Sequence, residues 1–344
     1  MMLTSVRATL IIAIALFASL SLPPMARAQQ TSAPPTADDD EVVRVTTSEV
    51  LLPVTVRDAD GRLVQTLTRN DFRVWEDGVE QPLRDLALRQ VPVDVALLVD
   101  SSSSAASNLD DFRRAVEEFA ARLAPEDRLS LLKFDDRVEL LQDWTQSRVQ
   151  LRRSLRRITP GMFTLFNDAL YLTAREQFKN LARRHAVVVL SDGIDSGRGA
   201  ATLPAALRAL LEAGASVYVF SNTAIERARK QAELSELLDQ PESARRFNEL
   251  RVGDLREGLR VLEQSDRTLA QLTEATGGRL YKPASFDALD AVYAEVAEEL
   301  RHQYALYYTP TDKTRDGKFR RVRVFTTDAK QRVAARIGYF APRG

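Results

Sequence analysis

The sequence predicts an α/β protein: a doubly wound, mostly parallel sheet flanked by a β-sandwich module that the two ends of the chain build together. Three observations point there. VDVALLVD (93–100) and AVVVLSDG (186–193) are continuous apolar runs, as expected of strands buried on both faces by helices. Helical spacing fills the stretches around them: Leu109, Phe112, Val116, Phe119 and Leu123 step by three and four, and TLPAALRALLEAG (202–214) closes on Gly214. Short, alternating, β-branched segments occupy both ends, 42–90 and 304–344, and each is marginal as a sheet by itself.

Residues 1–28 carry Arg7, the apolar run Ala8 to Leu22, Pro23, Pro24 and the small-residue triplet Ala26-Arg27-Ala28, which reads as a secretory signal peptide. The run is shorter than the roughly 20 residues a membrane-spanning helix needs. Cleavage is predicted after Ala28, so intact-mass measurement of the exported protein should show a chain beginning at Gln29; a chain retaining Met1 would mean an uncleaved anchor instead. Residues 29–41 (QQTSAPPTADDDE) lack apolar periodicity and read as a disordered linker. No later stretch reaches spanning length. The expectation is export to the periplasm or extracellular space, with no membrane insertion after cleavage.

Residues 42–90 form the amino-terminal β module, with VVRVTT, VLLPVTVRD, FRVWED and LRDLALR punctuated by Asp60-Gly61 and Asp77-Gly78, both read as two-residue hairpin turns. Residues 91–303 alternate strand and helix, which implies the doubly wound sheet: RLSLLKF, AVVVLSDG, SVYVFS and RLYKP as strands, with VQLRRSLRRI, FNDALYLTAREQF, RTLAQLTEATGG and FDALDAVYAEVAEEL as helices. Within it, 222–266 is a charged segment of helical spacing with few large apolar residues, expected as a solvent-facing helical insertion. Residues 304–344 return to strands (YALYYTP, FRRVRVFTT, RVAARIGYF) around Asp316-Gly317 and are expected to pair with 42–90.

Composition removes several function classes. The 344 residues include no cysteine, so disulfides, thiolate zinc sites and cysteine nucleophiles are excluded. Any bound metal should therefore be a hard cation held by oxygen. The 48 basic and 48 acidic side chains balance, against the basic excess of a nucleic-acid binder. A serine hydrolase needs a positioned histidine; of the two present, His185 adjoins a strand and His302 ends a helix, and each reads as a surface or capping residue.

One constellation carries chemistry. Asp100, Ser102 and Ser104 follow the first apolar strand, where ligands of doubly wound sheets bind. One carboxylate and two hydroxyls at alternate positions make a partial oxygen shell for Mg²⁺, and helix capping accounts for the same residues equally well. Thr164, before a helix, and Asp192, after the second apolar strand, add an oxygen each on the same rim.

These motifs, DSSSS with Asp100, Ser102 and Ser104, GMFTLFNDAL with Thr164, and VVVLSDGID with Asp192, resemble the metal-ion-dependent adhesion site of the von Willebrand factor type A domain family. The flanks DFRVWEDG and YALYYTP…RIGYFAP resemble those of VWFA-related exported proteins of acidobacteria. The resemblance implies that Asp100, Ser102, Ser104 and Thr164 approach the ion directly or through water, and Asp192 mostly through water. It also implies a non-enzymatic module that captures an Asp or Glu of a protein partner through Mg²⁺, with Mn²⁺ or Ca²⁺ as the other ions such a shell accepts. Where the family often has a second glycine before the threonine, this chain has Met162-Phe163. The competing readings are a structural envelope-assembly protein with a stabilising ion, and a metal-assisted hydrolase.

Overall fold

The computed structural model describes residues 49–88, 91–102, 109–179, 181, 183–285 and 288–343. The signal peptide, the linker, the VVRVTT strand and Ser104 lie outside the described residues. At the centre is a six-stranded sheet made of β5 (Val93–Asp100), β6 (Arg128–Phe134), β7 (Val138–Thr145), β8 (Arg184–Leu190), β9 (Ala215–Phe220) and β10 (Arg279–Tyr281). Its order is β10-β9-β8-β5-β6-β7, parallel throughout except for the antiparallel β6–β7 edge pair.

Side chains alternate across a strand, so β5 feeds two cores. Val93, Val95, Leu97 and Val99 pack with α1 (Leu109–Arg122), α2 (Arg148–Leu155) and α8 (Leu289–His302) on one face. Ala96 and Leu98 pack with α3 (Phe166–Leu172), α4 (Leu203–Ala213) and α7 (Glu249–Thr276) on the other. Each fully buried Val or Leu contributes about 1.5–3 kcal/mol, which is why both runs read as unbroken apolar strands. From β5 the chain moves to β6 on one side and later returns to β8 on the other. The strand order therefore reverses at the carboxyl ends of β5 and β8, the crevice where such sheets hold ligands.

The ends of the chain form two four-stranded antiparallel sheets, as the fold class predicts. One runs β13 (Arg332–Ala335), β1 (Val50–Arg57), β11 (Tyr304–Tyr308), β4 (Leu83–Leu88). The other runs β14 (Gly338–Phe340), β12 (Phe319–Thr326), β2 (Phe72–Glu76), β3 (Val79–Gln81). Each sheet thus takes two strands from each end of the chain. Between them lie Leu52, Val54, Phe72, Val74, Tyr304, Leu306, Tyr308 and Val322. A buried carboxylate, Glu76, accepts hydrogen bonds from Tyr308 (2.7 Å) and Tyr339 (3.0 Å) and so ties both sheets together. Pro53 is tolerated in β1 because β13 pairs only from Val54 onward, so no ladder bond is lost on that side.

The sandwich is anchored at the amino ends of the central strands. Helix α8 passes through Gln303 into β11, and its buried Glu299 accepts from Arg57 (2.6 Å) and Thr55 (3.1 Å) of β1 and from Tyr218 (3.1 Å) of β9. Helices α4 and α7 end on Gly214 and Gly277, both with positive φ. Arg336 comes against both ends: a Cβ at Gly277 would stand 2.5 Å from its backbone nitrogen, and one at Gly214 2.8 Å from its Nη1. The guanidinium at Gly214 complements the negative end of the α4 dipole, while at Gly277 it is the Arg336 backbone that closes on the helix end.

Of the two turns read as two-residue hairpins, one is corrected. At Asp77-Gly78 both residues have positive φ and the turn closes the β2–β3 hairpin. At Asp60-Gly61 and Asp316-Gly317 only the glycine does, and the second leads from one sheet into the other instead of joining paired strands. There the Asp316 carboxylate accepts from Lys318 N–H at 3.0 Å, a side-chain turn that needs no second positive φ. The charged segment is helical: α5 (Thr223–Leu238) buries Thr223, α6 (Glu242–Phe247) follows, and α7 runs unbroken from it into the RTLAQLTEATGG stretch, about 42 Å in all.

Candidate metal centre

Asp100 is the last residue of β5 and only 4% exposed. One of its oxygens accepts from the Ser102 backbone N–H at 3.0 Å and the other from the Ser191 hydroxyl at 2.6 Å. The Ser102 side chain also bonds this carboxylate. Ser101 points the other way: its hydroxyl donates to Asp135 (2.8 Å), whose second partner is the buried ammonium of Lys133 (2.7 Å). Alternation in an extended turn therefore sorts the serines, Ser102 toward Asp100 and Ser101 toward the end of β6.

The Ser101 carbonyl accepts from Gly161 N–H at 2.8 Å, which brings in the loop that carries Thr164. Glycine is required there because a Cβ would lie 2.5 Å from that of Asp135. Asp136 accepts from Met162 N–H (3.2 Å) and Phe163 N–H (2.8 Å), holding the next two residues. The Thr164 carbonyl in turn accepts from both the backbone and the hydroxyl of Ser196, each at 2.9 Å. Asp195 and Asp168 complete the stitching, accepting from Asn167 N–H (2.9 Å) and Ala200 N–H (3.0 Å). The Thr164 loop is thus fastened to the loop that begins with Asp192.

Asp192 follows β8. Its carbonyl accepts from the Ser265 hydroxyl of α7, and its carboxylate accepts from Ile194 N–H at 3.0 Å. Burial pushes its carboxyl up to about 6; the Ile194 bond opposes this, and the nearby charges of Asp100 and Glu226 add to it. Burial also raises Asp100, against the bonds from Ser102 and Ser191, with Asp135 adding repulsion. Gly193 has φ +70, and a Cβ there would lie 2.5 Å from a Leu269 methyl. Gly193→Ala is expected to lower the thermal midpoint, since the left-handed φ alone costs about 1–2 kcal/mol. An unchanged midpoint would mean that the turn relaxes freely.

Of the residues singled out in the sequence, Asp100 and Ser102 bond each other, Asp192 lies close enough to feel the charge of Asp100, and Thr164 joins through the 193–201 loop. Ser191, Asp135, Asp136, Asp168, Asp195 and Ser196 are the supporting residues that sequence reasoning missed. Only Ser191, inside the SDG turn, had a local signal. The donor set suits a hard cation: the buried Asp100 and the half-buried Asp192 carboxylates repel each other, the hydrogen-bond partners of Asp100 are neutral, and Lys133 is committed to Asp135. Among the described residues no group of three or more His, Cys, Asp or Glu could hold a metal, so hydroxyls would have to complete any shell.

Residues 95–194 match the family model of the von Willebrand factor type A domain. Comparison with curated proteins gives no match. Among similar solved structures are the vWF domain of the type V pili tip protein Mfa5 from Porphyromonas gingivalis (25% identity, 30% of this chain and 39% of that one, TM-score 0.29), proximal thread matrix protein 1 from the mussel byssus with a zinc-occupied MIDAS motif (14%, 65% and 50%, 0.45), and a von Willebrand factor type A structure from Catenulispora acidiphila (10%, 87% and 75%, 0.45). The chain spans half or less of the length of the first two.

Proposed function

With residues 95–194 forming a von Willebrand factor type A domain, we propose that the chain is an exported, non-enzymatic binding module that captures an acidic side chain of a protein partner in a cation-dependent way. Asp100, Ser102, Ser104, Thr164 and Asp192 would hold the ion, Mg²⁺ first, with Mn²⁺ or Ca²⁺ as alternatives. The reading rests above all on the buried Asp100 carboxylate, met only by neutral partners at the strand-order reversal, with the half-buried Asp192 near enough for the two charges to repel. A partner's Asp or Glu carboxylate completes the coordination of a hard cation held there, and binding gains a charge-assisted contact in a partly dry site.

Residues 91–303 are proposed as the binding domain, with 42–90 and 304–344 as its carrier. Two observations support a binding role over catalysis. His185 lies near the start of β8, at the end of the sheet away from Asp100, with Nδ1 on the Ala213 carbonyl (2.7 Å) and its ring stacked on Phe178. His302 ends α8 with Nδ1 on the Glu298 carbonyl at 2.9 Å. Neither is placed to act as a base beside Asp100. Among the described residues no helix is long and apolar enough to cross a membrane.

Immobilised protein incubated with native envelope extract should retain an acid-bearing partner in Mg²⁺ and release it in EDTA, and the Asp100→Ala protein should retain it in neither. Equal retention in both buffers would overturn the proposal.

A further inference from the structure

The rim beside Thr164 carries a cation that the capture of one carboxylate leaves unused. Arg198 is exposed, and its guanidinium lies over the Phe163 ring, 3.6 Å from the centroid. Phe163 is the immediate neighbour of Thr164, so the two Cα atoms stand about 3.8 Å apart. The backbone on both sides of Arg198 is held: Ser196 donates twice to the Thr164 carbonyl, Gly197 N–H donates to Asp195 (2.7 Å), and Ala200 N–H donates to Asp168. Arg198 is therefore fixed to the same rim as Thr164.

The two acids that hold the backbone on either side of Arg198 are already engaged. Both Asp195 oxygens accept backbone N–H groups, and one Asp168 oxygen accepts from Ala200 and Ala201 while the other is buried. Among the ion pairs of the described residues none involves Arg198. A guanidinium stacked on an aromatic face keeps its in-plane N–H donors free and loses little freedom when it meets a carboxylate side-on. Met162, 72% exposed, adds an apolar edge to the same stretch.

Resting on the binding role proposed above, we infer that Arg198 is a specificity-determining residue that takes a second carboxylate from the same partner. The favoured ligand is then an acidic pair and not a lone Asp or Glu. An extended segment presents every second side chain on one face, roughly 6.6 Å apart. An acid-x-acid segment is the shortest extended one that presents two carboxylates on one face, one for the Asp100 site and one for the guanidinium.

The test uses two soluble probes in Mg²⁺ and in EDTA, with backbone amide shifts as the readout: a Gly/Ser peptide holding one Asp and the same peptide holding Asp-Gly-Asp. Wild type should bind the second about fivefold more tightly than the first, the scale of one well-oriented exposed ion pair. Arg198→Ala should erase that preference while leaving the single-Asp affinity unchanged, and Arg198→Glu should invert it. Equal affinities in wild type, or a preference that survives Arg198→Ala, overturns the inference and leaves the cation site standing. Failure of both peptides to bind in a Mg²⁺-dependent way overturns the site reading and the inference with it.

Discussion

Asp100→Ala should lower Mg²⁺ affinity by about a hundredfold or more in a calorimetric titration, the largest effect of any single change at the site. The removed group is a full charge in a nearly dry position, where loss of one partner of an ionic contact typically costs about 3–5 kcal/mol. Ser102→Ala and Ser104→Ala should cost less, because water substitutes for a neutral hydroxyl at a modest penalty. Thr164→Ala should weaken ligand capture more than ion retention. The metal-free protein provides a second check. The Asp192 carboxyl, at about 6 when folded against an ordinary 3.8, binds its proton more tightly in the folded state. The contribution of this group to the stability of the metal-free protein should therefore be present at acid pH and lost as pH rises from about 4 to about 6, read as the difference in pH dependence between wild type and Asp192→Asn; Mg²⁺ should offset that loss. Equal Mg²⁺ affinity in wild type and Asp100→Ala would return the DSSSS turn to a helix cap.

Deleting residues 309–344 should unfold the sandwich while the central sheet remains. The deletion removes β12, the partner of β2; β13, a partner of β1; and the Tyr339 hydroxyl bonded to Glu76. It also uncovers Phe72 and Val74, each contributing about 1.5–3 kcal/mol by burial, and leaves β2–β3 as a two-stranded hairpin, marginal in water, with the three-stranded β1-β11-β4 remnant stripped of its facing sheet. Hydrogen exchange should show amide protection lost across Val50–Leu88 and kept in β5 and β8. Survival of protection in β1 and β2 would show that the amino-terminal strands stand without the carboxyl-terminal ones.

The double-sided strands β5 and β8 were legible because parallel central strands leave no polar face. The positions of Asp100 and Asp192 were legible because one ends β5 and the other follows β8, whereas Thr164 lies in the loop between α2 and α3. β7 was not. It is an edge strand with register shifts against β6 and mixed exposure, so its VELLQDWT sequence has no clean alternation. The length of α7 was hidden by Gly253 and Gly258, which weaken a helical pattern; the helix continues through them, with Lys230 of α5 about a contact distance from the second. The residues that pin the Thr164 loop were hidden for another reason. Asp136, Asp168 and Asp195 act through backbone N–H groups, and any loop acid can do so. Arg336 docks on two helix ends that only the tertiary structure brings together.

The split sandwich sets a problem of timing as the chain is made. Glu76 and Tyr339 are 263 residues apart, and β4 meets its neighbour β11 only after the whole central domain has been synthesised. At about 5–20 residues per second, the amino-terminal strands wait on the order of 10–40 s with apolar faces and open edges. Such edges recruit strands from other chains. Pro53 within β1, and the exposed Arg73 and Arg84 of β2 and β4, are suited to discourage premature pairing, so substitutions at the two arginines should raise aggregation during synthesis more than they change the finished fold.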